Sequence, residues 1–357
     1  MRLVALAESE SHVCCRYRLT AFRAALAGAG HTLEVRALPR SWFGRLALGR
    51  DLTSYDAVVL QRKLLPPWAV ALLRRRVRRL VFDFDDAVWL RDSYSPKGFD
   101  DPKRAARFRA TVTACDLVIA GNDYLAAAAR KFVPADRVRV IPTCVDVAKY
   151  PVAEHGPGGA VRLVWVGSSS TLKGLERFAP TLSAIGRAVP GARLKLVSDR
   201  FAGFPGLPVE RCVWSEATDA EEIAAADVGI GWVPEDPWSR GKCGLKVLQY
   251  QAAGLPVVAN PVGVQAEFVR NDETGFLATT TDEWVHAVRA LAADAALRKR
   301  LGAAGRHQVE ARYSVAAGGT KWCAALADLV ARVAAPRPAR MIREAVRLPN
   351  GRGVHVE

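Results

Sequence analysis

The sequence predicts an α/β protein made of two doubly wound parallel-sheet domains that face each other across a cleft. Strand-like and helix-like segments alternate from the N-terminus to about residue 150. Residues 150–159, which are rich in Pro and Gly, interrupt this alternation, and it then restarts. Two successive βα arrays joined by such a linker are typical of two parallel-sheet domains. Ligands of these domains bind at the carboxyl ends of the strands, so we expect a site in the cleft between them.

Short apolar runs predict the strands, because the strands of a parallel sheet are covered on both faces. The first array has runs at residues 3–7, 32–38, 57–60, 80–84, 117–120 and 138–142. The second array has runs at residues 162–166, 194–197, 209–213, 228–232, 257–258 and 276–277.

Segments with apolar residues at helical spacing fill most of the gaps between these strands. In the first array they cover residues 17–29, 68–78, 102–114 and 124–132. In the second array they cover residues 172–188, 219–225 and 242–252, and further helices extend to about residue 333.

These patterns divide the chain into five parts. Residues 1–150 form the N-terminal domain, 151–160 the linker and 161–315 the C-terminal domain. We expect a helix at 316–334 to pack back on the N-terminal domain, and residues 335–357 form a basic tail.

The composition favours a soluble protein with an anionic partner. The formal net charge is +15, which is compatible with phosphorylated substrates, nucleic acid or an acidic membrane surface. The seven cysteines include no C-x-x-C pair, so we interpret them as reduced thiols of a cytoplasmic protein. We find no signal-peptide pattern and no apolar run long enough for a membrane helix.

The segment from Arg240 to Asn260 is the most informative one. Gly254 is placed to end a helix, and an apolar strand follows it. Lys242, Lys246 and Gln249 share one face of that helix by spacing. Because a helix N-terminus already carries partial positive charge, lysines there indicate a bound phosphate or diphosphate. The alternative is a pair of solvated surface lysines.

A set of motifs, found in order over residues 1–330, resembles glycosyltransferase family 4, the retaining sugar-nucleotide transferases with the GT-B fold. The motifs are Val118–Asp123, Val140–Asp146, Trp165–Gly167, Lys173–Gly174, Ala226–Ile230, Lys242–Gln249, Gly254–Ala259, Val262–Gly263 with Glu267, and Gly275–Leu277. The resemblance implies a metal-independent transfer of sugar from a nucleotide-sugar co-substrate to a carbohydrate or lipid-linked glycan, with no further cofactor.

The resemblance also implies the donor-binding residues. Gly167 matches the glycine of a loop at the donor diphosphate, and Lys173 matches the basic residue of the same region. Gly244 and Leu245 match a pair whose backbone amides approach the phosphates. We add Arg240, Lys242 and Lys246 as cations that stabilise the charge growing on the leaving group, with Lys173 and Lys242 as catalytic candidates.

Three positions depart from the family pattern. The family has glutamates where this chain has Gly241 and Gln249. Gln249 can still hydrogen-bond a ribose hydroxyl without charge, and Asp236 is a neighbour that could replace the missing carboxylate. Ser168 follows Gly167 where a basic residue is expected.

The first array supplies the acceptor side of the predicted cleft. We propose that His12, Arg16 and Arg18 border it, although an ordinary basic first turn of a helix explains them equally. Asp85 and Asp86 follow a strand and are candidates for orienting an acceptor hydroxyl or for steadying positive charge on the donor sugar.

Two alternatives concern the same acidic segment. Asp85 or Asp86 could simply cap a helix. Asp83 and Asp85 could instead bind a divalent metal, but the cationic helix of the second array makes a metal unnecessary, and we predict none.

A basic cluster at the end of one predicted helix suggests a further partner. Its members are Arg74, Arg75, Arg76, Arg78 and Arg79. They could dock on anionic lipid at the inner face of a membrane, which suits a lipid-linked acceptor, or form a solvated helix face.

Other functions remain as alternatives. The missing glutamates are compatible with a catalytically impaired scaffold or nucleotide-sugar-binding protein, and a GT-B sugar-nucleotide epimerase shares the fold. Nucleic-acid binding has only the net charge in its favour, since no nucleic-acid module is recognisable.

Overall fold

The computed structural model describes residues 1–39, 41–47, 51–156 and 160–334. The predicted basic tail, residues 335–357, lies outside these ranges. The described residues form two six-stranded parallel sheets with helices packed on their faces.

The first sheet belongs to the N-terminal half. Its strands are β1 (Arg2–Ala7), β2 (Thr32–Ala37), β3 (Ala57–Gln61), β4 (Leu80–Phe84), β5 (Leu117–Ala120) and β6 (Val138–Val140). Their spatial order is β2-β1-β3-β4-β5-β6. The order reverses at β1, which pairs with both β2 and β3, so a crevice opens at the carboxyl ends of β1 and β3.

The second sheet belongs to the C-terminal half. Its strands are β7 (Arg162–Val166), β8 (Arg193–Ser198), β9 (Val209–Val213), β10 (Val228–Gly231), β11 (Val257–Ala259) and β12 (Gly275–Leu277). Their spatial order is β12-β11-β10-β7-β8-β9, with the reversal at β7. All twelve strands were predicted, and each end lies within two residues of the prediction.

Helices connect the strands. The α-helices are α1 (Val13–Arg18), α2 (Arg23–Gly28), α3 (Trp42–Ala47), α4 (Pro67–Arg76), α5 (Pro102–Ala114), α6 (Asp123–Arg130), α7 (Ser169–Arg177), α8 (Ala179–Ala188), α9 (Asp219–Ala224), α10 (Pro237–Arg240), α11 (Leu245–Ala252), α12 (Gln265–Phe268), α13 (Thr281–Ala293), α14 (Ala295–Arg312) and α15 (Val315–Ala334). Short 3₁₀ helices cover Thr20–Phe22, Ala135–Arg137 and Val147–Lys149.

Two predicted helices are broken in the structure. The helix predicted at 17–29 begins earlier, at Val13, and is interrupted at Leu19, whose backbone leaves the helical region with φ −132°. The helix predicted at 172–188 divides at Phe178 into α7 and α8. Pro180 explains this break, because it has no N–H to donate to the carbonyl four residues earlier.

The packing of β4 shows how an acidic residue enters the core. Phe82 and Phe84 point to one face of the sheet and stack with ring centroids 4.9 Å apart. Asp83 therefore points to the other face, because side chains alternate along a strand. There it pairs with Arg18, and both side chains are fully buried.

Helix α15 returns to the N-terminal half, where residues 316–334 were expected to pack. Trp322 is buried there, with its ring centroid 6.3 Å from that of Phe22. Arg139 of β6 pairs with Asp328 at 2.7 Å.

The described part of the linker region packs against the second sheet domain. Tyr150 and Ala153 are buried, and the Ala153 N–H donates to the Ala253 carbonyl at 2.9 Å. His155 Nε2 lies 3.0 Å from the Gly254 carbonyl oxygen. The two halves are thus tied together next to α11.

Candidate active site

The predicted site residues collect at the carboxyl ends of strands in both sheets. Asp85 and Asp86 follow β4, and Gly167 and Ser168 follow β7. Residues 240–246 lie in the connection from β10 to β11. This placement brings the two halves of the predicted site to facing edges, as the fold requires.

The helix that carries the lysines begins later than predicted. Gly244 is its N-cap and has a left-handed backbone, with φ 64°, so α11 starts at Leu245. A Cβ on Gly244 would lie 2.6 Å from the Phe268 ring, so glycine is required for space as well as for conformation. Lys242 therefore precedes α11, and the prediction that it shares a helix face with Lys246 and Gln249 is wrong.

Lys246 does lie on α11, beside the loop that follows β7. Its ammonium group is 3.7 Å from the centroid of the Trp165 ring and 3.4 Å from Thr171 Oγ1. A Cβ on Gly167 would be 2.7 Å from the same Nζ atom. Burial lowers the pKa of Lys246 well below its ordinary value, and the nearby charge of Lys242 lowers it further.

Ser168 and Lys173 lie on the other side of this loop. Ser168 is the N-cap of α7 and exchanges hydrogen bonds with Thr171, and the Ser169 N–H donates to Asp199 Oδ1 at 2.6 Å, so the first amides of α7 are already engaged. Lys173 is exposed on α7. Gly174 packs against the first domain, because a Cβ there would lie 2.5 Å from the Tyr94 hydroxyl.

Lys242 reaches across the cleft to the acidic pair. Its Nζ atom lies 3.7 Å from Asp86 Oδ1, and Arg62 contacts Asp86 Oδ2. Arg62 also lies 3.7 Å from Asp85 and donates to the Cys14 sulfur at 2.5 Å. The result is a compact cluster of two acids and two cations contributed by both domains.

Asp86 is buried, and its pKa reflects opposing influences. Burial raises the pKa of Asp86, and the repulsion from Asp85 acts in the same direction. Lys242 and Arg62 lower it. The alternative in which Asp85 or Asp86 caps a helix does not hold, because no helix begins within the next ten described residues.

Gly241 is in direct contact with the first domain. A Cβ at this position would lie 2.8 Å from the backbone nitrogen of Ala87. Asn122 donates to the carbonyls of Gly241 and Lys242, at 3.2 and 3.1 Å. The space that a side chain at 241 would need is therefore filled by the opposite domain.

Asp236 and Arg240 flank this contact. Asp236 caps α10, with Oδ1 accepting from the Ser239 N–H at 2.7 Å. Arg240 is exposed and pairs with Glu235 at 3.2 Å.

The three basic candidates near the N-terminus separate in the structure. His12 caps α1, with Nδ1 accepting from the Cys14 N–H. Arg16 pairs with Glu216 of the second domain at 2.7 Å and lies over the Trp214 ring. Arg18 is fully buried against Asp83, so the prediction that it borders the cleft is wrong.

Gln249 is buried in a polar network between the domains. Its side-chain amide nitrogen donates to the hydroxyls of Tyr150, at 3.1 Å, and Tyr17, at 3.3 Å. Both amide hydrogens are thus engaged, and the amide oxygen is the atom left for a ribose hydroxyl.

The basic cluster is less open than its sequence suggests. Arg74 pairs with Asp116 at 3.0 Å, Arg76 donates to the Leu46 carbonyl, and Arg79 donates to the Asp56 carbonyl. Arg75 and Arg78 are exposed.

The described residues contain no group of three or more His, Cys, Asp or Glu side chains that could hold a metal ion. Within the same residues, no helix is both long and apolar enough to cross a membrane. The seven cysteines, all within the described ranges, are unpaired as predicted.

Sequence reasoning missed several residues of the site. Arg62 follows a correctly predicted strand, so its position at a strand end was the available signal. Asn122 lies in the motif Val118–Asp123, but no role was assigned to it. Tyr17 and Tyr150 gave no local signal, because their contacts with Gln249 depend on the approach of the two domains.

Part of the C-terminal half of the chain matches a known protein family. Residues 237–308 match the family model described as Glycosyl transferases group 1. The matched region contains α10, Lys242, α11 and β11. No curated protein is detectably similar to the chain in sequence.

Solved structures match nearly the whole chain. A sucrose-phosphate synthase from Thermosynechococcus elongatus has a TM-score of 0.72 at 19% identity, over 93% of this chain and 99% of the other. A glycosyltransferase from Rickettsia africae has a TM-score of 0.70 at 12% identity, over 92% and 98%. Anabaena HepE, solved with UDP-glucose, has a TM-score of 0.67 at 17% identity, over 92% and 99%. These matches and the two parallel sheets confirm the predicted GT-B fold.

Proposed function

We propose that the protein is a retaining glycosyltransferase that moves a sugar from a nucleoside-diphosphate sugar to a hydroxyl of a carbohydrate or lipid-linked glycan. The observation that carries this proposal is that Lys246 lies beside Gly167 while Lys242 contacts Asp86 of the other domain. The fold and the glycosyl transferases group 1 match over residues 237–308 support it.

The cations suit the departure of a diphosphate. Negative charge grows on the bridging oxygen as the sugar leaves, and fixed cations stabilise that charge more in the transition state than in the ground state. Lys242 and Lys246 supply the cations. In this proposal the lysines replace a metal ion, and no cofactor is needed beyond the nucleotide sugar.

The carboxylates of Asp85 and Asp86 are suited to interact with the donor sugar and with the acceptor hydroxyl. Asp85 and Asp86 lie where positive charge develops on the donor sugar, and either one can accept a hydrogen bond from the attacking hydroxyl. Retention of configuration is proposed from the resemblance to family 4.

A ligand panel tests the proposal. We expect one of UDP, GDP, ADP, CDP and dTDP to raise the melting temperature in the presence of EDTA. A ligand at a hundred times its dissociation constant stabilises a fold by about 2.7 kcal/mol. UDP is tested first, because HepE was solved with UDP-glucose.

Substitutions of single lysines test where the diphosphate binds. Lys242→Ala, Lys246→Ala and Lys173→Ala are expected to reduce the shift, whereas Lys299→Ala, an exposed lysine on α14, is the matched control. A shift that survives in the Lys242 and Lys246 variants would place the diphosphate elsewhere. Activity that is lost in EDTA and restored by manganese would overturn the metal-free mechanism.

A second candidate is a nucleotide-sugar-binding protein without transferase activity. It is favoured by the filled space at Gly241 and by the engagement of Gln249 with two tyrosines. Slow hydrolysis of the donor without acceptor, abolished by Lys242→Ala, would argue against it.

The location of the protein in the cell is part of the same proposal. We place it in the cytoplasm, peripherally at the inner face of the membrane, with Arg75 and Arg78 as the exposed cations of the basic cluster. Each is worth about 1 kcal/mol near an anionic surface. Pelleting with vesicles that contain anionic lipid should fall when both are changed to Ala, and binding that ignores lipid charge or salt would contradict this placement.

A further inference from the structure

Asp86 lies between two cations that come from different domains. Lys242 Nζ, from the second domain, is 3.7 Å from Asp86 Oδ1. Arg62, from the first domain, contacts the other oxygen, Oδ2. The carboxylate can therefore lose one of its ion-pair partners and keep the other.

Arg62 is the more firmly held of the two cations. Its backbone adopts a left-handed conformation, with φ 59°, which is uncommon for a residue other than glycine. Its N–H donates to the Asp83 carbonyl at 2.7 Å, and its guanidinium group donates to the Cys14 sulfur. These contacts fix Arg62 independently of Asp86.

Lys242 is the less constrained partner. It lies in the turn between α10 and α11, and 35% of its side chain is exposed. Its other described side-chain contact is with the Trp238 ring, 5.5 Å from the ammonium group. An anion in the cleft can therefore compete for Lys242 more readily than for Arg62.

We propose that Asp86 is the counter-ion of Lys242 in the donor-free protein, that the donor diphosphate displaces it, and that Arg62 is the positioning residue that keeps the released carboxylate in place. This inference rests on the proposed function, because it assumes that a diphosphate binds at Lys242. Donor binding then frees Asp86 for the sugar or the acceptor, so the donor binds first.

Titration calorimetry with UDP, or with whichever diphosphate the panel selects, tests this competition. Asp86→Asn removes the competing charge and should tighten diphosphate binding about fivefold, as expected for an ion pair whose lysine is 35% exposed. The same variant should slow sugar transfer, so affinity and turnover change in opposite directions.

Substitutions of Arg62 provide a second test of the proposal. Arg62→Gln leaves Asp86 with Lys242 as its remaining cation, so the diphosphate should bind less tightly. Arg62→Lys should recover part of the affinity, because it restores the charge. Ligand-free melting temperatures show whether each variant is folded.

A general change in cleft charge would produce some of these effects, and two controls separate it from direct competition. Asp85→Asn removes the same charge one residue away, where the structure describes no contact with Lys242. In a Lys242→Ala background, Asp86→Asn should no longer tighten binding.

The outcomes are distinct. The inference is overturned if Asp86→Asn binds the diphosphate no more tightly than the wild type. It is also overturned if Asp85→Asn tightens binding equally, or if the effect persists without Lys242. If the wild type binds none of the five diphosphates, the proposed function fails together with the inference.

Discussion

The ammonium group of Lys246 lies 3.7 Å from the centroid of the Trp165 indole, and Thr171 Oγ1 is its described hydrogen-bond partner. No carboxylate is described as its ion-pair partner within the ranges that the structure covers. Burial and the charge of Lys242 both favour the neutral amine, so the pKa of Lys246 is lowered.

This depressed pKa predicts that diphosphate binding takes up a proton. A bound diphosphate favours the ammonium form and raises the pKa of Lys246, so the affinity should fall as the pH rises. The measurement is calorimetry in buffers of different ionisation enthalpy, above about pH 7.5, where the terminal phosphate is already ionised. Lys246→Gln should abolish the proton uptake. Equal uptake in this variant would assign the proton to another group.

The contact between Gly241 and Ala87 predicts a cost for any side chain at 241. Gly241→Ala places a Cβ 2.8 Å from the Ala87 backbone nitrogen. Overpacking of this kind costs about 1–3 kcal/mol, because the two domains must separate slightly. The free energy of unfolding is measured by urea denaturation. Gly203→Ala is the control, since a Cβ there meets nothing within 4 Å. An equal effect of the two substitutions would show that the close approach at 241 is absent in solution.

The buried pair of Arg18 and Asp83 predicts a role in stability. Arg18→Met leaves the Asp83 carboxylate buried without a partner, which should cost about 3–5 kcal/mol in the free energy of unfolding. The exposed pair of Arg139 and Asp328 is the comparison, and Arg139→Ala should cost less than about 1 kcal/mol. Adding Asp83→Leu to Arg18→Met should recover much of the loss. A small effect of Arg18→Met would mean that Asp83 is already neutral in the folded protein.

The network around Gln249 predicts a nucleoside-specific effect. If the free amide oxygen of Gln249 accepts from a ribose hydroxyl, Gln249→Leu should weaken nucleoside diphosphate binding about fivefold, the value of one hydrogen bond. Binding of inorganic pyrophosphate, which has no ribose, should change little. Tyr17→Phe is the control, because it removes one acceptor of the amide and leaves the amide oxygen in place. Equal loss for both ligands would show that Gln249 acts on the whole cleft.

The strands could be predicted because a buried parallel strand is a short continuous apolar run, and this property is local. The ends of the helices were harder to predict from the sequence. The break at Phe178 follows from Pro180, but the start of α11 depends on the left-handed Gly244, which is packed against Phe268. The missed helix α3 is short and precedes residues outside the described ranges.

The sequence by itself determined the two βα arrays, the break between them, and the position of Gly167 directly after a strand of the second array. Local patterns carry this information, since chain direction in a parallel sheet fixes which strand ends meet. Only the tertiary structure decided that Arg18 is buried with Asp83, and that Arg62 and Lys242 share Asp86. Those pairings join residues distant in the chain. The free energy of bringing them together comes from the packing of whole elements, which no local pattern records.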